Sequence, residues 1–217
     1  MRIPAALSAF AFTLAACSSG PDLSPTPGAI GFDGFVEHWL AESTGGSGPV
    51  ASWEARADAT AISPPNVMAL VAPNHTAEER FNLFWTRAVA FRDGRLSLAV
   101  RADGGEVDQG GGPMWRARDA DNYYVCRYNP LEANYRLYVV DKGVRRQLAT
   151  ALVETDGAGW HRLEVEHVGH TIRCWFDGDL LLEAEDDTID NAGGVGLWTK
   201  ADARTSFDDL SVVGRSR

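Results

Sequence analysis

Between Pro113 and Val140 apolar and polar side chains alternate residue by residue. In Tyr123–Asn129 the positions Tyr124, Cys126 and Tyr128 form one apolar set, while Arg127 and Asn129 point the other way. Successive side chains of a strand project to opposite faces, so this spacing predicts strands with one face in a core. The same pattern predicts strands at Arg95–Arg101, Pro113–Arg118, Tyr135–Val140, His161–His167, Thr171–Phe176, Asp179–Ala184, Gly194–Thr199 and Ser206–Val212. In Trp160–Glu166, Leu163 and Val165 face inward and Glu164 and Glu166 outward. Asp93-Gly94, Lys142-Gly143, Gly169-His170 and Asp177-Gly178 suit the positive backbone angles of tight hairpins. Helical periodicity is nearly absent. Trp39–Arg80 is less regular, and Pro64-Pro65 within it predicts an edge or a rim. Many short strands with regular turns predict an all-β, two-sheet antiparallel jelly-roll sandwich.

The amino terminus has an export pattern. Met1-Arg2 is a short basic start, Ile3 to Leu14 is apolar, and Leu14-Ala15-Ala16-Cys17 ends the run with small residues before a cysteine. The run is too short for a membrane span, which needs about 20 residues. The tetrad resembles a bacterial lipobox, which implies cleavage ahead of Cys17 and a membrane anchor on its lipidated terminus. Ser18 after it implies sorting to the outer membrane. Each buried methylene contributes about 0.8 kcal/mol, so several acyl chains hold stably. Residues 18–31, rich in Pro, Ser and Gly, read as a tether, and residues 32–217 as one domain.

Charge narrows the choice of partner. The formal net charge of −10 argues against nucleic acid. Basic side chains nevertheless gather at Arg116, Arg118, Arg127, Arg136, Lys142, Arg145 and Arg146, while acids crowd into residues 154–190. After processing, Cys126 and Cys174 remain, both mid-strand on apolar faces. A disulfide in an oxidising compartment and two buried free thiols both fit; the geometry required of mid-strand pairs favours the thiols.

Three segments carry a family likeness: GGGPMWRARDADNYYVCRYNPLEANYRLYVVDKGVRRQL, GWHRLEVEHVGHTIRCWFDGDLLLEAEDD and GGVGLWTKADARTSFDDL. They resemble the concanavalin-like jelly roll of laminin-G-type domains. More narrowly they are similar to exported bacterial proteins close to the 3-keto-disaccharide hydrolase family. The resemblance implies a sugar-directed jelly roll, a fold that hosts lectins, glycosidases and inert modules alike.

Catalytic templates are incomplete. Laminarinase-type jelly rolls carry Glu-x-Asp-x-(x)-Glu on one strand. Glu106-Val107-Asp108 begins that pattern, but Gln109-Gly110-Gly111 follows and the second Glu is missing, so a loop is expected. Asp33, Asp208 and Asp209 stand at the two ends of the domain. They could help to hold a structural calcium, or bond loop amides instead, which is the favoured expectation. No other cofactor is implied.

What remains is a polar face. Arg116, Tyr123, Arg127, Asn129, Glu132, Arg136 and Tyr138 are expected to adjoin, with Trp198 and Lys200 alternating against Val195 and Leu197 onto the same side. Guanidinium groups and carboxylates suit vicinal sugar hydroxyls, and aromatic rings suit sugar faces. Carbohydrate is the partner this predicts. A catalytic alternative follows from the family likeness, in which a 3-keto sugar needs one base, Glu132 or His161, and one oxyanion stabiliser, Arg127 or Arg116. His161 fits poorly, since its alternation turns it inward. Two further readings are a salt-bridge lattice with Asp119, Asp121, Glu132 and Asp141, and an interaction domain with no small ligand.

Overall fold

The computed structural model describes residues 32, 38–73 and 79–215. Cys17, Asp33 and the expected tether lie outside these residues. Fourteen strands, and no helix, occur among the described residues. They are β1 (Trp39–Thr44), β2 (Ser52–Ala57), β3 (Asn66–Ala72), β4 (Phe81–Phe91), β5 (Asp93–Gly104), β6 (Gly112–Asp119) and β7 (Asn122–Asn129). The remainder are β8 (Asn134–Asp141), β9 (Val144–Leu152), β10 (His161–Val168), β11 (Thr171–Phe176), β12 (Asp179–Glu185), β13 (Gly193–Lys200) and β14 (Arg204–Arg215). The front sheet has the order β1-β4-β13-β6-β7-β8-β9 and the back sheet β12-β11-β10-β5-β14-β3-β2. All pairings are antiparallel, as a jelly roll requires.

The nine expected strands are present with small shifts at their ends. Lys142-Gly143 and Asp177-Gly178 carry positive φ at both residues and close the β8–β9 and β11–β12 hairpins. Asp93-Gly94 does not form a hairpin turn. It opens β5 where the chain crosses from the front sheet to the back sheet.

Between the sheets the core joins Tyr124, Cys126, Tyr128, Leu137, Leu163, Val165, Cys174, Leu197 and Phe207, all buried. Its rings interlock: Trp53 lies against Phe84 and Phe207, and Tyr128 against Phe176 and His161. Cys126 and Cys174 are buried free thiols within this core. At one end, His167 accepts a hydrogen bond from Trp115 Nε1 on Nδ1 at 3.0 Å. Burial, and then the nearby Arg116 charge, pushes its pKa down to about 3.

A second apolar cluster covers the outside of the front sheet: Phe81, Leu83, Trp85, Met114, Tyr123, Val125, Tyr138 and Trp198. Trp85 has room there because Gly196 faces it; a Cβ on Gly196 would stand 2.4 Å from Trp85 Cβ. This face is curled. In a flat sheet β4 and β8 would stand about 19 Å apart. Yet the Arg145 guanidinium lies 4.8 Å from the ring centroid of Phe81 on β4 and 4.4 Å from that of Tyr138 on β8.

Candidate functional site

Strand alternation places Arg127, Asn129, Arg136, Tyr138, Trp198 and Lys200 on the outer, concave side of the front sheet, with Tyr123 beside them. Arg127 pairs directly with Arg136 in the β7–β8 register, and Glu132 sits in the turn joining those strands. The turn is braced by Asn129, whose Oδ1 accepts the Leu131 and Glu132 amides. The expected grouping is therefore largely realised, with Arg116 as the exception.

Arg116 adopts φ 47° at a β-bulge, where the pairing of β6 with β7 breaks between Trp115 and Asp119. The bulge resets the alternation and sends the side chain away from this face. Its fully buried guanidinium donates to the carbonyls of Arg92, Ile189 and Gly169 at 2.7–3.0 Å and lies 3.5 Å from Asp93. It fastens the crossing into β5 to the β10–β11 turn. It is no part of the face.

The polar half of the concave face is organised by two carboxylates. Asp108 Oδ1 accepts from Arg127 Nη2 at 2.5 Å and from Asn129 Nδ2 at 3.2 Å, while Oδ2 meets Lys200 Nζ at 3.0 Å. Glu132 Oε2 meets Arg136 Nη1 at 3.1 Å, Asn134 Nδ2 at 2.8 Å and Arg127 Nη1 at 3.7 Å. One guanidinium, that of Arg127, thus stands between both acids. It is buried, whereas the side chains of Glu132 and Arg136 keep 38% and 33% of their surface open.

Sequence reasoning missed Asp108. It lies in a loop, as expected of Glu106-Val107-Asp108, but the loop turns the carboxylate into the face. Asp202 holds it so by accepting the amides of Glu106, Val107 and Asp108. The only signal was the glycine run after it. A Cβ on Gly112 would stand 1.9 Å from the Cys126 carbonyl oxygen, which shows how tightly this segment abuts β7. Asn134 and Arg145 were missed as well. The salt-bridge lattice does form through Glu132, but its second acid is Asp108. Asp119 instead accepts the Asp121 amide and Asn122 Nδ2.

The two acids are tuned apart. Burial pushes the Asp108 carboxyl up, against the opposing pull of Arg127 and Lys200. Burial also acts on Glu132, but its bond from Asn134 and the charges of Arg127, Arg136 and Lys200 prevail and hold it below the usual range. His161 is remote from both. It packs between the sheets on Tyr128 and Phe176, with Nδ1 2.7 Å from Asp177.

The aromatic half of the face is closed. Tyr123 and Trp198 are fully buried, Tyr138 nearly so, and Trp198 Nε1 donates to the Tyr123 hydroxyl at 3.0 Å. Thr44 reaches the same hydroxyl at 2.9 Å from β1. The expectation of open tyrosine and tryptophan rings is corrected: sheet curl and Arg145, stacked over Tyr138 and Trp198, cover them. A groove of about 320 Å³ opens beside Arg145, lined also by Gly45, Gly46, Glu79, Phe81, Gly143 and Val144.

In the back sheet, Asp208 accepts the Ser63 amide at 2.7 Å, and Asp209 accepts the Ser63 hydroxyl and Arg162 Nη1. These bonds tie β14 to the loop before β3 and to β10. Among the described residues no group of three or more His, Cys, Asp or Glu side chains is arranged to hold a metal ion.

No family model and no curated protein matches this chain. Solved structures do. The carbohydrate-binding module CBM66 from Bacillus subtilis superposes with a TM-score of 0.63 at 16% identity, covering 80% of this chain and 93% of that one. A Bacteroides ovatus GH16 protein of a mixed-linkage glucan locus, solved with its G4G4G3G product, gives 0.63 at 9% identity, covering 87% of this chain and 100% of that one. A Bacillus subtilis protein of unknown function with a galectin-like fold gives 0.56 at 15% identity, over 83% and 92% of the two chains. At such identities the likeness concerns the fold: the chain is a concanavalin-like, galectin-like jelly-roll sandwich.

Proposed function

We propose that this chain is a carbohydrate-binding domain, displayed on the cell envelope by a lipid at Cys17, that engages sugar hydroxyls on the concave face of the front sheet. The observation that carries the reading is the arrangement of Glu132 and Arg136. They present an acceptor and a planar donor side by side at the open end of the face, and buried Arg127, Asp108 and Asn134, with half-buried Lys200, fix their positions. Such preorganised polar groups are what vicinal hydroxyls need. The three structural neighbours include a protein named as a carbohydrate-binding module and one solved with an oligosaccharide.

A catalytic reading has one observation in its favour. Asp108 and Glu132 flank the same guanidinium with pKa values displaced in opposite directions, the pattern of an acid and a base. The narrower likeness to 3-keto-disaccharide hydrolases suggests 3-keto-glycosides as the substrates. The burial of Asp108, capped by Arg127 and Lys200, weighs against its reaching a substrate. Calorimetry of the domain against an oligosaccharide panel, run beside a turnover assay on 3-keto-glucosides, separates the readings. Saturable binding without turnover is expected. Turnover would establish the enzyme, and silence in both would leave an interaction domain.

A further inference from the structure

Arg145 differs from Arg127, Arg136 and Lys200 on the concave face. Arg127, Arg136 and Lys200 each stand within 4 Å of Asp108 or Glu132, whereas Arg145 makes no ion pair among the described residues. Its guanidinium rests instead on three rings, those of Tyr138, Phe81 and Trp198. Rings lower the cost of burying the charge but supply no counterion. Its Nη1 is buried and has no hydrogen-bond partner among the described residues. The side chain as a whole is only partly buried, but a buried charged N–H without an acceptor is costly.

The groove beside it is suited to such a guest. It is about 320 Å³, at the small end of ligand sites, and Gly45, Gly46 and Gly143 leave parts of its walls without side chains. Arg80, which donates to the Gly45, Gly48 and Pro49 carbonyls, fixes the loop that forms one wall and adds a second cation behind it. The acid lining the groove is Glu79, which is exposed at the rim. Across the face five cations, Arg87, Arg127, Arg136, Arg145 and Lys200, are set against the acids Asp108, Glu132 and Glu42, with Glu79 at the rim of the groove. The chain as a whole carries a net charge of −10. A planar guanidinium pairs with a carboxylate through two parallel bonds, which selects carboxylates over diffuse charge.

We infer that the saccharide taken by this face is an acidic one, with the carboxylate of a uronic acid unit seated in the groove against Arg145 and its hydroxyls directed toward Glu132 and Arg136. This rests on the carbohydrate-binding reading and names the ligand class within it. The test is calorimetry of the purified domain against uronate oligosaccharides (galacturonate, glucuronate-containing and mannuronate/guluronate), each paired with its carboxyl-reduced, neutral counterpart. At least one acidic member is expected to bind tenfold or more tightly than its neutral partner, with the advantage shrinking as salt rises from 50 to 500 mM. Arg145→Gln should abolish that advantage, and Arg145→Lys should keep part of it. If Arg145→Gln fails to fold, the salt dependence of the unaltered protein still decides. Equal or tighter binding of the neutral partners, or discrimination that survives Arg145→Gln, would overturn the inference alone. No binding to any saccharide would remove the carbohydrate reading as well.

Discussion

On the outer side of the back sheet, Arg95 bonds Glu166, Arg173 bonds Glu166 and Glu183, and Arg101 bonds Asp58 and Asp103. On the outer side of the front sheet, Arg127, Arg136 and Lys200 share two acids and Arg145 meets none among the described residues. The Arg95 and Arg173 pairs bridge neighbouring strands with largely open side chains, and pairs of that kind add a median of about 0–1 kcal/mol each. The Arg101–Asp58 pair, from β5 to the loop after β2, is better covered, with 17% and 14% of the side chains open. The front-sheet charges are pulled under a curled sheet, where leaving one uncompensated is expensive. Burial, more than the face on which a residue stands, decides what these residue types mean: the back sheet has its own buried pair in Arg162 and Asp209.

The largest effect that could break this contrast is Arg127→Ala. Removing the guanidinium strands Asp108 with Lys200 and Asn129 alone, deep in the face, and leaves Glu132 with one fewer cation. Leaving a buried charge wholly unpaired costs about 3–5 kcal/mol; with Lys200 still facing Asp108 the loss should fall below that ceiling but above about 1 kcal/mol, to be read by urea unfolding. A cost below about 1 kcal/mol would mean that the front face is as solvated as the back one.

Between the two faces, His167 supplies a pH readout of how dry the interior is. Its folded pKa, about 3, lies below the usual value near 6.5, because burial and the Arg116 charge disfavour the imidazolium. The unfolded chain takes up a proton near pH 6.5 and the folded chain does not until about pH 3. This contribution is therefore complete above pH 6.5, falls as pH drops toward 3, and then levels off. Between pH 6.5 and 4.5 it amounts to about 2–3 kcal/mol. His167→Gln, which retains an acceptor for Trp115, should flatten that part of the stability profile. Parallel profiles for the two proteins would contradict a neutral His167.

How far the sequence disclosed this contrast can be traced residue by residue. Period-two alternation was enough to put Arg127, Arg136, Tyr138, Trp198 and Lys200 on one side, because their strands are regular. It failed for Arg116, since a bulge changes which way a side chain points without changing the sequence pattern. Strand β4 escaped notice because Phe81-Asn82-Leu83-Phe84-Trp85 is buried on both faces, which erases the alternation. Strand β9 escaped because, as an edge, it buries little on either face. Asp108 and Arg145 depend on how a loop folds back and how a sheet curls. Both are tertiary outcomes, with no local signature beyond a run of glycines.

The finest test of the comparison sets one partly exposed arginine from each face against the other. Arg136 and Arg95 each make a single-carboxylate pair, at 3.1 and 2.8 Å, with side chains 33% and 62% open. By stability alone the two should be nearly alike: Arg136→Ala and Arg95→Ala should each shift unfolding by less than about 1 kcal/mol. Binding should divide them. Arg136 stands at the mouth of the concave face beside Glu132, so its loss should weaken saccharide binding by about 1.5–3 kcal/mol, the worth of a hydrogen bond to a charged donor. Arg95 lies over Trp175 on the opposite sheet and should leave the affinity unchanged. Equal losses of affinity from both variants would point to a nonspecific charge effect. A loss confined to Arg95→Ala would move the ligand to the back sheet, where Trp175 is partly open and a cavity of about 340 Å³ runs between Arg95, Glu164 and Ser211.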